Sequence, residues 1–224
     1  MSVNNDPKVR FKHGNKFMLN IFKKKLTINQ AVEFILLFNS ELTKKMQDPF
    51  DSFLNLYDKI SEQTKIKCGY ELGYLIISCI YLMLMANRDL KGNKDELSSH
   101  YLADVYKILH NNCSKELGDY AVSQLDLRIQ AYRLAWISEK LNSLVGIRSV
   151  LQSTVSAIIK TDDFSIADDI LLEYIHNQDS INNESAQFVL KISEPWLIAG
   201  QICMDIINAT HNFFSQFSKD FEII

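Results

Sequence analysis

Gly69–Asn87, GYELGYLIISCIYLMLMAN, is the stretch whose reading decides the fold. From Leu72 to Ala86 it carries neither charge nor proline, and only Gly73 and Ser78 weaken it. Apolar side chains point all the way round a helical wheel. Such a helix leaves no face for water and must be enclosed by other helices or by lipid. The uncharged run is 15 residues long, about 22 Å of helix. A hydrocarbon core is about 30 Å thick and takes about 20 apolar residues to span. Glu71 at one end and Arg88-Asp89 at the other limit the run, and Asp89 gives no positive-inside signal. The stretch therefore reads as the buried central helix, about residues 69–88, of a soluble protein.

The rest of the composition agrees with helices. A chain of 224 residues buries one substantial core. Its three prolines and seven glycines fall far below the usual roughly 5% and 7%, and turn-rich β architectures need both residues. Working outward from the central helix, Thr27-Ile-Asn-Gln30 is a capping box opening a first helix. Asp48-Pro49 is expected to end that helix and start a second, with Pro49 in its first turn. Beyond the loop 87–95 a helix runs to His110, and another is expected from Ser114 to about Val145, with Gly146 ending or kinking it. Thr161-Asp162-Asp163 caps the next. A short helix around Phe188 is broken by Glu194-Pro195, and a last long helix follows from Trp196 to Phe221. The pattern predicts an all-α, single-domain bundle of eight or nine helices over residues 27–224. No stretch alternates clearly enough to be a strand.

Formal net charge is −3, but residues 1–26 carry seven Lys/Arg against one Asp, so the remainder is at −9. The basic arm is expected to be disordered or frayed, and Met18 would itself serve as a start of translation. An acidic body argues against nucleic acid, because phosphate contacts need clustered cations. The cysteines, Cys68, Cys79, Cys113 and Cys203, fall in no ligand spacing and suit a reducing cytoplasm. Abundant Ile, Asn and Lys beside five Arg is the bias of an AT-rich coding sequence, which points to a low-GC bacterium.

Candidate chemistry is sparse. Glu173 and His176 stand at i, i+3, the spacing of a carboxylate–imidazole metal pair, but the di-iron bundles that use it need two such motifs. Asp162, Asp163, Asp168 and Asp169 lack the alternation and central glycine of a calcium loop, so capping and surface charge account for them. Arg128, Tyr132, Arg133 and Trp136 form a cluster in which each Arg neighbours an aromatic on the helix, a candidate partner- or anion-binding face. The competing account is a structural network with Asp126 and Glu139. Gly69-x-x-x-Gly73 marks a tight crossing of two helices. No Gly-rich phosphate loop, nucleophile elbow or HExxH occurs, so no cofactor is expected.

Phe213, Phe214, Phe217 and Phe221 put much apolar surface near the C-terminus, a candidate interface for a partner or a second copy. These observations favour a non-enzymatic helical module of adaptor, immunity or regulatory type that binds another protein in a bacterial cytoplasm. Two alternatives stand beside it. One is a helical-bundle enzyme or metal/ligand-binding protein centred on Glu173 and His176. The other is a peripheral membrane protein attached through its basic arm, whose apolar and cationic residues 17–25 would suit an anionic bilayer.

Overall fold

Thr27 opens the first helix by the expected reciprocal cap. Its Oγ1 accepts from Gln30 N at 3.3 Å, and Gln30 Oε1 accepts from Thr27 N at 3.0 Å. The computed structural model describes residues 23–57, 59–112, 115–137, 143–176 and 194–224. Among these, seven helices form: α1 Ile28–Leu54, α2 Glu62–Ala86, α3 Lys94–Asn112, α4 Lys115–Ile137, α5 Ser143–Thr161, α6 Phe164–His176 and α7 Glu194–Asp220. Two three-residue strands, β1 Lys24–Leu26 and β2 Phe221–Ile223, complete the order at either end.

The all-α class holds, with seven helices among the described residues rather than eight or nine. One difference lies at Pro49, which sits inside α1 instead of dividing it. A proline there removes one backbone bond. The stripe it interrupts nonetheless continues in register, since Met46, Phe50, Phe53 and Leu54 are all buried on one side. Packing along that stripe outweighs the local penalty. A second difference is that the run expected from Ser114 to Val145 is two helices, α4 and α5. Gly146 stands inside α5 and neither ends nor kinks α4. The predicted helix around Phe188 lies outside the described residues.

α2 is the centre of the bundle and packs on α1, α3, α4, α5 and α7. Leu72, Leu75, Ile76, Ile80 and Leu84 are no more than 1% exposed. α2 is also the one helix among the described residues long and apolar enough to cross a membrane. Of its most apolar window, 61% is buried inside the protein.

The strands were not expected from sequence. They pair in parallel, with Leu26 opposite Ile223 and both side chains buried. Three residues are too few for alternation to register as a signal. Across the other edge of β2, Ile223 N donates to Lys91 O at 3.2 Å. Gly92 is needed there. Its φ is +118°, and a Cβ would stand 2.7 Å from the Ile223 carbonyl oxygen. Lys23 also donates through Nζ to Ser218 O, so the end of the basic arm is tied to the end of α7.

Candidate functional site

A groove of about 640 Å³ opens between the C-terminal half of α1 and the N-terminal half of α2. Its floor is apolar: Leu54 of α1 and Tyr74 of α2 are each 1% exposed. Its rim is polar and already hydrogen-bonded. Gln47 donates to Asp51 at 2.9 Å, and Lys65 pairs with Glu62 at 2.9 Å. Between floor and rim runs the edge of α2 carrying Ile66, Gly69 and Gly73. Ile66 is 57% exposed.

The glycine pair does not mark a crossing among the described residues. A Cβ built at Gly69 or at Gly73 meets no atom of the described residues within 4 Å. The close crossing is made by Gly146 instead, where a Cβ would stand 2.8 Å from Ala135 O and 3.3 Å from Ala135 Cα. That glycine lets α4 and α5 pack backbone to backbone. No described residue covers the pair on α2.

Behind the groove floor lies a buried charged network. Glu71, a marker of the end of the apolar run when read from sequence, sits well inside α2 and is fully buried. Its Oε1 accepts from Arg128 Nη2 at 2.6 Å and from Arg128 Nε at 3.2 Å. Arg128 is fully buried too, and donates through Nη1 to Asp168 and, at 3.3 Å, to Gln124. Asp168 also accepts from the Tyr120 hydroxyl. The guanidinium lies 5.3 Å from the centre of the Tyr74 ring, so the floor of the groove rests on this network. Tyr74 donates its own hydroxyl to Ala121 O at 3.0 Å.

One guanidinium thus serves two carboxylates in the interior. Burial pushes the Glu71 carboxyl above its ordinary range, and Arg128 opposes that push without cancelling it. Burial acts to lower the Arg128 pKa, but Glu71 and Asp168 outweigh it and hold the guanidinium charged. Burial also raises Tyr132 well above the ordinary phenol range and pushes the Cys68 and Cys79 thiols up to about 12. These thiols stay protonated and unreactive at neutral pH.

The residues singled out from sequence scatter. Arg128 and Tyr132 turn inward and are buried, Arg133 is exposed, and Trp136 is half-buried against the core. They do not share one face. Of the expected network with Asp126 and Glu139, Asp126 accepts from the Tyr106 hydroxyl, Arg128 takes Glu71 and Asp168, and the Glu139 part lies outside the described residues. Asp162 and Asp163 do cap the α5–α6 junction, whereas Asp168 belongs to the buried network rather than the surface.

Glu173 and His176 are both exposed on α6, and the His176 ring bonds Leu172 O at 2.7 Å. Among the described residues no group of three His, Cys, Asp or Glu is placed to hold a metal ion. Phe214 and Phe217 are buried, while Phe213 and Phe221 are half-buried against α1. Phe213 stacks on Phe38 at 4.1 Å, and Phe221 packs on Phe34 at 5.4 Å.

The sequence reading missed the groove. Its signal was Ile66, an apolar residue in the otherwise polar Ser61–Lys67, one turn before a glycine pair. It also missed the partner of Arg128. A lone carboxylate in an apolar helix demands a buried cation, and that demand was legible at Glu71. Comparison with family models, curated proteins and solved structures finds no match to this chain.

Proposed function

We propose that the chain is a non-enzymatic helical protein-binding module whose groove seats a helix of another protein. The observation that carries this reading is the uncovered glycine edge of α2. Glycines four residues apart let a second helix approach along its backbone, and no element of the described residues takes that place. Ile66 beside them offers an apolar anchor exposed to solvent. An apolar floor with a polar rim is the arrangement that receives an amphipathic helix. An adaptor, immunity or regulatory role in a bacterial cytoplasm fits such a surface.

The double variant G69L/G73L tests this. A Cβ at either position meets no described atom within 4 Å, so the variant is expected to keep the fold while narrowing the groove. Affinity capture from extract of the source organism, run with both proteins, is expected to yield a protein bound by wild type and lost with the double variant. Identical capture by the two would refute the reading.

A further inference from the structure

Phe34 and Leu37 are 44% and 58% exposed on α1. They are not isolated apolar residues. The Phe34 ring packs on Phe221 at 5.4 Å, and Phe38 stacks on Phe213 at 4.1 Å. Phe38, Phe213 and Phe221 are themselves only half-buried. An apolar strip thus crosses from the N-terminal half of α1 to the end of α7. The α1 lining of the groove begins farther along, at Gln47.

The charges beside this strip are ordered. Glu33, Leu37, Ser40 and Lys44 are all exposed and follow one another at steps of four, three and four. That spacing sets them in one row along the helix, the row by which two helices pair side by side. The row is acidic at Glu33, apolar at Leu37 and basic at Lys44. Among the described residues neither Glu33 nor Lys44 enters an ion pair.

A two-fold axis reverses such a row, and an isologous contact requires a surface that matches its own reversal. A second α1 laid antiparallel, with the axis midway between Glu33 and Lys44, sets Glu33 opposite Lys44 of the second copy and Lys44 opposite its Glu33. Leu37 then meets Ser40 at the centre, and Phe34 is covered just inside each ionic pair. Asp48, exposed one turn beyond Lys44, comes opposite the first turn of the other α1, where the helix dipole is positive. Glu41, a further carboxylate on this face, stands three residues from Lys44 and four from Lys45 of its own helix, which offset it. A parallel pairing would instead set Glu33 on Glu33 and Lys44 on Lys44.

From this self-complementary pattern we infer that α1 pairs antiparallel with α1 of a second copy, so that the protein forms a homodimer through Glu33, Leu37 and Lys44. One helix pair with its flanking strip is a small interface, under about 1,200 Å², and the dimer is a weak one. It does not rest on what the groove binds.

Sedimentation velocity on the full chain tests it. Wild type is expected to pass from monomer toward dimer between about 1 and 100 μM. Glu33→Lys and Lys44→Glu each set two like-charged pairs across the axis, and each is expected to weaken association at least about tenfold. An equimolar mixture of the two variants restores both pairs in a heterodimer and is expected to associate within about threefold of wild type. Leu37→Asp leaves Glu33 and Lys44 in place, is expected to abolish the dimer, and decides alone if a charge variant does not fold. The groove variant G69L/G73L should dimerise as wild type does. A wild type that stays monomeric at about 100 μM would overturn the inference. So would a dimer indifferent to the single variants, or a mixture that associates no better than its components.

Discussion

Arg128 cannot sit fully buried without a counter-charge, and its two carboxylates are not equivalent. Glu71 is completely desolvated, whereas the Asp168 side chain is 14% exposed. Because the folded protein raises the Glu71 pKa, it binds that proton more tightly than the unfolded chain does. The contribution of Glu71 to stability therefore improves as pH falls from above its raised pKa toward the ordinary value of 4.5, and is least favourable at high pH. Glu71→Gln removes this dependence. Denaturation midpoints of wild type and E71Q, compared from neutral pH downward, should show wild type gaining on the variant as pH falls. A constant difference would contradict the assignment. Arg128→Met, by contrast, strands Glu71 and is expected to cost about 3–5 kcal/mol. At this scale the sequence was half legible. A carboxylate inside an apolar helix announces that a cation must meet it. Which of the five arginines does so depends on a contact across 57 residues that no local pattern encodes.

Elements were more legible than residues, because each helix advertises its buried stripe. The capping box at Thr27 and the apolar run of α2 were read directly. Pro49 misled because a local breaker was weighed without the stripe that continues past it through Phe50 and Phe53. Glycines misled for a related reason. Gly69 and Gly73 have the spacing of a crossing, yet the crossing belongs to Gly146, whose partner Ala135 is fixed only by tertiary structure. Stability measurements separate the two kinds. Gly69→Ala and Gly73→Ala should each stabilise the protein by about 0.5–1 kcal/mol, since alanine is the better helix former and the added methyl meets no described atom. Gly146→Ala should destabilise it, since its methyl would press on the Ala135 carbonyl. Equal effects at the three positions in urea denaturation would contradict this division.

For the whole molecule, the packing accounts for what the helices hide and leaves a large opening among the described residues. α2 is enclosed by five helices, β1 pairs with β2, and the C-terminal phenylalanines pack largely against α1. The edge of α2 at Ile66, Gly69 and Gly73 remains uncovered among the described residues. An acidic body, −9 over residues 27–224, would steer a partner bearing positive charge and make the association rate fall as salt rises. The all-α class was legible from composition and periodicity. The groove was not, because an unfilled space follows from how α1 and α2 diverge and not from either one of them. The most direct test is photocrosslinking in the source cells, with a photoreactive residue at position 66 and a control at Met204, exposed on α7. The account predicts a discrete adduct between position 66 and another protein that disappears when Gly73 is also changed to Leu. No adduct at position 66 beyond that seen at position 204, or an adduct indifferent to Gly73→Leu, would contradict the groove as the binding surface.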